Sequence, residues 1–268
     1  MKHRRKHIRH KLRGLKPKKS IIKMPVFWIG FGAVVFLGAS FYFYFFFPNF
    51  QVQILQISGN QKIQTIQIED LAWQRIDKKL LGLPYKSIFT INTQTIKKAL
   101  LTGFPILENV DIQKSYFDKI IIQVTEREPF AVFCPNQAVS DCFTIDKNGV
   151  IYENMQNPAD GNFILRQNIG QTVLQTGQHL IDKNSMDGIF KIRSNLKNSF
   201  QVDLKEALVS NPLIVTTAEN WKIYFNPEAD INLQIMKMNA LLNDEISLAA
   251  RKNLEYIYLQ YKDRAYYK

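Results

Sequence analysis

Residues 104–131 read FPILENVDIQKSYFDKIIIQVTEREPFA, and the pattern within this stretch decides the fold of the first folded unit. Val110 and Ile112 alternate with polar neighbours. Ile120, Ile122 and Val124 do so again after the break at Lys114-Ser115-Tyr116-Phe117-Asp118. Successive strand side chains point to opposite faces, so each run lines one face with apolar residues and two strands are predicted. Upstream, Gly103-Phe104-Pro105 ends a helix that Asn92 can cap, with Ile96, Ala99 and Leu100 on one side. Leu81-Gly82-Leu83-Pro84 breaks the pattern before it. An earlier helix is expected from an N-cap at Thr65, with Glu69 and Asp70 near its positive end and Ile68, Leu71, Ala72 and Ile76 at helical spacing. Residues 50–58 read as a strand carrying Val52, Ile54 and Ile57, closed by the turn signal Gly59-Asn60. The predicted order over 50–127 is β-α-α-β-β, a small α+β unit.

The chain has 268 residues, with 35 Lys+Arg against 23 Asp+Glu and a formal charge of +12. Its 12 Gly and 10 Pro exclude collagen-like and low-complexity classes, and two Cys exclude a disulfide-rich scaffold or a four-Cys zinc site. Seven Lys and four Arg fall within residues 1–23, which hold no acidic residue, leaving +1 for residues 24–268. A nucleic-acid surface needs Lys and Arg spread over the folded body to displace counterions, so a nucleic-acid partner is not expected. After Lys23 no charged residue occurs until Lys62. Val26–Phe47 is nearly all apolar, and as a helix it spans about 33 Å, enough for the ~30 Å hydrocarbon layer. Pro25 suits a first helical turn, while Tyr42 and Tyr44 among Phe41, Phe43 and Phe45–Phe47 suit the far headgroup interface. Lys18, Lys19 and Lys23 can snorkel at the near one. A cleaved signal peptide ending near Gly38-Ala39-Ser40 is the competing reading, but signal apolar regions usually run about 7–15 residues. The positive-inside rule keeps the tail in the cytoplasm and puts residues 48–268 outside. The predicted organisation is a basic cytoplasmic tail (1–23), a single transmembrane helix (24–47), the α+β unit (50–127) and a second domain (128–268).

That second domain reads as mostly β with two helices. Ile164-Leu165-Arg166, 202–209, 213–217 and 221–225 are strand candidates. Ile189, Ile192, Arg193 and Leu196 mark one helix, and Asp230 caps another with Ile231, Ile235, Met238, Leu241 and Leu242 inward. Residues 254–261 are expected to form a final strand. Cys134 and Cys142 flank a polar loop, and in an oxidising compartment they are a disulfide candidate, two buried thiols being the alternative.

Catalytic constellations are sparse. Beyond the tail the one histidine is His179, so a Ser-His or Cys-His site would have to use it, and a surface position is the plainer reading. Ser194-Asn195-Leu196-Lys197 matches the S-x-x-K of penicillin-binding enzymes, but no K-T-G completes it. Glu126 and Glu128 fall two apart and read as a solvated strand face. No metal-ligand spacing, phosphate loop or dinucleotide fingerprint occurs, so no enzyme activity, cofactor or metal is expected.

The strand followed by Ser58-Gly59-Asn60, the two helices, the Phe104–Val110 junction and the exit Val124-Thr125-Glu126-Arg127-Glu128-Pro129-Phe130-Ala131 resemble the POTRA domain of the bacterial division proteins of the FtsQ/DivIB family. Phe143-Thr144-Ile145-Asp146-Lys147-Asn148-Gly149-Val150-Ile151 is similar to the D-x-x-G hairpin that opens that family's second domain. The resemblance implies a non-enzymatic scaffold of septal cell-wall synthesis in the cytoplasmic membrane at the division septum. Its implied partners are FtsB- and FtsL-like proteins and the septal synthase complex, bound by strand addition at the C-terminal sheet edge. On this chain Leu259 and Tyr261 match the core and aromatic positions of the family's C-terminal strand motif, with Tyr258 and Gln260 standing where the family carries an acid and an arginine. Asp263 and the nearby aromatic surface of Tyr266 and Tyr267 complete the expected partner-binding set, sheet packing being the alternative for the tyrosines. The alternative is another membrane-anchored POTRA adaptor in secretion or envelope assembly.

Overall fold

The computed structural model describes residues 25–80, 82–115, 118–135, 142–159, 161–170 and 172–268. Residues 1–24, with the lysines expected to snorkel, and residues 81, 116–117, 136–141, 160 and 171 lie outside these. Helix α1 (Pro25–Phe46) is 22 residues long, begins on Pro25, carries no charge and buries none of its residues. It is the one described helix long and apolar enough to cross a membrane, and it fits a single-pass anchor. A short 3-10 turn, Pro48–Phe50, leads out of it.

The next unit contains β1 (Ile54–Ser58), α2 (Thr65–Ile76), β2 (Lys78–Leu80), β3 (Leu83–Tyr85), α3 (Thr93–Gly103), β4 (Leu107–Ser115) and β5 (Lys119–Glu126). Its sheet runs β1-β5-β4, with β1 parallel to β5 and β5 antiparallel to β4. The alternation that predicted the strands is the alternation that builds the core. Val110, Ile120, Ile122 and Val124 face Ile68, Ala72, Ile76, Ile96 and Leu100 from the two helices, all essentially buried. The Asn92 side chain accepts from the Gln94 and Thr95 N–H groups and caps α3 as expected.

Three local readings change. Thr65 is the first helical residue and caps nothing; Gln64 precedes it without a side-chain cap, and the Thr65 hydroxyl instead accepts from Asn60 Nδ2 at 3.1 Å. The break at 82–84 is part of a hairpin, since β2 and β3 pair antiparallel with Lys79 opposite Pro84. The first strand begins at Ile54, because Pro48–Phe50 is helical and the Val52 N–H goes to the Lys86 carbonyl.

The C-terminal region holds one nine-stranded mixed sheet in the order β14-β13-β12-β11-β10-β9-β6-β7-β8. Its strands are β6 (Ala131–Pro135), β7 (Cys142–Ile145), β8 (Ile151–Met155), β9 (Ile164–Gln167), β10 (Leu204–Leu208), β11 (Leu213–Thr217), β12 (Lys222–Phe225), β13 (Tyr256–Tyr258) and β14 (Tyr266–Tyr267). Three helices accompany it, one more than predicted: α4 (Lys183–Phe200), α5 (Ile231–Ala240) and the four-residue α6 (Leu248–Arg251), with a π turn after α5. Asp230 caps α5 as expected. Phe133, Leu165, Val215, Trp221, Ile223 and Phe225 pack against Met186, Ile189, Ile192 and Met238 to form the second core. Cys134 and Cys142, buried beside Val132 in a small separate cluster, lie 4.3 Å apart at Cα and are joined by a disulfide.

The expected strand over 254–261 contracts to β13. The Leu259 N–H still reaches the Tyr224 carbonyl, and beyond it the carbonyls of Tyr261 and Lys262 accept from Lys237 Nζ. The chain then returns as β14 beside β13, pairing Tyr267 with Ile257 and Tyr266 with Tyr258.

Candidate partner-binding edge and the junction that carries it

Three stretches far apart in sequence meet between the first unit and the nine-stranded sheet. Gly59 has φ +91°, and a Cβ there would lie 2.0 Å from the Val124 carbonyl oxygen, so the turn requires glycine. Asn60 Nδ2 donates to the Ile63 carbonyl and closes the loop. The backbone N–H groups of Gln61, Lys62 and Ile63 then point at the Glu126 carboxylate, at 2.8 to 3.1 Å. Burial by itself raises the Glu126 pKa, yet these donors, helped by the Lys62 charge, hold it below the ordinary glutamate value. Glu126 is thus a clamp on the β1–α2 turn, which corrects its reading as a solvated face. Glu128 lies past the end of β5 and is exposed.

Arg127 continues the junction. Its Nε donates to the Pro105 carbonyl at 3.0 Å, and its guanidinium pairs with Asp146, which is 2% exposed. Asp146 Oδ1 accepts from the N–H groups of Asn148 and Val150, both at 2.9 Å, and Asn148 Nδ2 reaches across to Glu108 at 3.0 Å. Gly149 has φ +81°, and a Cβ there would meet the Ile181 carbonyl oxygen at 2.1 Å. The neighbouring Tyr152 phenol is pushed up to about 12 by burial, with the charges of Glu153 and Asp146 adding to it. Every charged group at the centre of this junction is held by a partner on another element.

The opposite end of the sheet is built differently. β14 is its last strand and is tied to β13 by two residue pairs, with Lys268 exchanging hydrogen bonds with Tyr256. Tyr261, Tyr266 and Tyr267 are 49%, 47% and 46% exposed. The Tyr261 and Tyr266 rings meet edge to face at 5.7 Å. Asp263 is exposed in the bend between them. Leu259 is fully buried, and its N–H donates to the Tyr224 carbonyl at 2.9 Å, so this residue supports the edge from inside. The expected partner-binding residues therefore separate: four face solvent around β14, and Leu259 joins the core.

Residues 50–127 match the family model described as POTRA domain, FtsQ-type. The chain carries an FtsQ-type POTRA domain. This supports the FtsQ/DivIB family, a family of non-enzymatic scaffolds, and with it a division-related role. No curated protein matches the chain.

In the domain that follows the POTRA unit, sequence reasoning missed Tyr224 and Lys237. Tyr224 pairs in register with Tyr258, their rings 4.4 Å apart, and Tyr256 lies 4.7 Å from Tyr258, which makes an aromatic ladder on β12 and β13. Alternation in Trp221-Lys222-Ile223-Tyr224-Phe225 puts Tyr224 opposite the core face, but its neighbour follows from the parallel register alone. The enzyme-like motifs remain scattered. His179 is exposed and bridges to Val150, and the Lys197 amine is bound by Asp203 at 2.7 Å, one helical turn beyond Ser194. Among the described residues no group of three His, Cys, Asp or Glu could hold a metal.

Proposed function

We propose that this protein is a division-site scaffold without catalytic activity. α1 anchors it in the cytoplasmic membrane, with the basic tail inside and the folded domains outside at the septum. There it gathers FtsB- and FtsL-like partners and the septal synthase complex, and a partner strand adds to the outer edge of β14. The FtsQ-type POTRA match carries the division role. The edge itself supports the binding mode: a terminal strand offers unpaired N–H and C=O groups, and three half-exposed tyrosines beside it are the residue type favoured as interface anchors.

Because β14 covers β13, the docking edge differs from the one read from sequence, and that difference makes the proposal testable. Binding of the full chain to an FtsB-like partner is measured for Tyr266→Ala with Tyr267→Ala and for a chain lacking residues 264–268. Loss of both anchors weakens binding by at least about tenfold, and removal of β14 weakens it further, since each well-packed anchor contributes roughly 2 kcal/mol. Unchanged binding in both variants rejects the β14 edge. Depletion of the protein is expected to give filamentous cells without septa; normal septation would reject the division role.

A further inference from the structure

The POTRA domain is tied to the outer end of α1 by contacts that fix its height above the bilayer. Ser87 Oγ donates to the Tyr44 carbonyl at 2.6 Å and Gln51 Nε2 to the Phe45 carbonyl at 2.8 Å, so the domain's own side chains satisfy the last carbonyls of the helix. Phe89 stacks on Tyr44 with ring centroids 5.5 Å apart, and Tyr85 meets Phe45 edge to face at 5.5 Å. Along α1, Trp28 and Tyr44 are 16 residues apart, about 24 Å, which is less than the ~30 Å hydrocarbon thickness. With Trp28 at the inner interface, Tyr44 lies no farther out than the outer one, and the side chains that touch Tyr44 share its depth.

Next to these contacts the domain exposes apolar surface that neither core explains. Leu83, at the tip of the β2–β3 hairpin, is 57% exposed, and Phe89 is 50% exposed. Lys79, opposite Pro84 in the same hairpin, is exposed as well. We propose that the β2–β3 hairpin and Phe89 form a lipid-contacting face that seats the POTRA domain in the outer headgroup layer. Leu83 and Phe89 reach the acyl boundary, and the Lys79 ammonium meets the phosphates of anionic lipid. The occupant is lipid because the patch is continuous with the aromatic end of a helix already suited to the bilayer. The domain thus rests on the membrane, with the junction and the partner edge held at a set distance above it.

The inference rests on α1 crossing the membrane, and the test separates the two. Full-length protein, its disulfide intact, is placed in nanodiscs of phosphatidylcholine with or without phosphatidylglycerol. A nitroxide is attached at Val35→Cys, Leu83→Cys or Gln61→Cys, the last beyond the far end of β1. Electron spin resonance then reads collisions with oxygen and with a water-soluble nickel complex. The Val35 label is deep, and the Leu83 label shows nickel access about threefold below that at Gln61, as expected for the headgroup zone. With phosphatidylglycerol present, Lys79→Glu raises nickel access at the Leu83 label about twofold through lost phosphate contact. A Leu83 label as nickel-accessible as Gln61, above a deep Val35 label, overturns the lipid face alone. No response to Lys79→Glu overturns the phosphate contact, and a water-exposed Val35 label overturns the membrane reading and this inference together.

Discussion

At the junction with the POTRA domain, Asp146 is 2% exposed and its carboxylate is occupied by Arg127 and two backbone N–H groups. At the far edge of the same sheet, β14 is held by two ladder pairs and its tyrosines stand about half exposed. Both ends carry polar backbone and aromatic or charged side chains, but at the first the charged groups are paired internally and at the second the outer strand edge is open. A buried ion pair held by partners on other elements fixes one arrangement, whereas an unpaired edge is free to accept a strand from outside. The proposed scaffold needs both properties, and they are separated along one sheet: a closed polar junction at one end and an open strand edge at the other.

The sharpest way to break that contrast is to remove one partner of the buried pair. Arg127→Ala leaves the Asp146 carboxylate buried without its cation and frees the Pro105 carbonyl. A loss of about 3–5 kcal/mol in denaturant unfolding is expected. Tyr266→Ala, at the exposed edge, is expected to change stability by less than about 1 kcal/mol. Equal losses for the two variants would erase the distinction between a fixed junction and an open edge.

The disulfide sharpens the comparison at intermediate scale. Cys134 and Cys142 join adjacent strands on the β6–β8 side of the sheet, away from β14. Closing an eight-residue separation stabilises by about 2–3 kcal/mol, chiefly by restricting the unfolded chain. Reduction is therefore expected to lower the melting temperature by several degrees, read in scans with and without reductant. Partner binding at β14, measured under reducing conditions where the protein is still folded, is expected to stay the same. A parallel fall in binding would mean that the two sides of the sheet are coupled more tightly than their packing implies.

How much of this was legible depended on how far the controlling contacts lay along the chain. The alternation in 104–131, the Asn92 cap and the apolar run that becomes α1 depend on neighbours within a few residues, and each appears where the pattern put it. The β2–β3 hairpin was invisible because three-residue strands are too short to show a period and Pro84 signals a break. β14 was missed because two adjacent tyrosines show no alternation, and residues 254–261 looked like one strand because nothing local marks where pairing with β12 stops. Among the expected partner residues, four are exposed and Leu259 is not, a split decided by β12 and β13 lying side by side. Glu126 was misread for the same reason: its donors sit 63 to 65 residues upstream.

Glu126 gives a smaller effect than the buried pair or the disulfide, and it is the one with a definite pH signature. Its folded pKa lies below the ordinary glutamate value, so folding favours the ionised form. The stabilisation from the clamp is fully present above the unfolded pKa of about 4.3 and is lost as pH falls through the lower folded value. Glu126→Gln keeps one acceptor oxygen but loses the charge, and is expected to cost about 1–2 kcal/mol at neutral pH through weaker bonds to Gln61, Lys62 and Ile63. Wild type and variant are therefore expected to differ at pH 7 and to converge as the pH falls through the lowered folded pKa, because the protonated Glu126 carboxyl and the amide of the variant offer the backbone similar acceptors. Chemical unfolding followed across about pH 3–7 reads that convergence. A difference that stays constant with pH would assign the role of Glu126 to packing of the β1–α2 turn and leave the charge without a part in it.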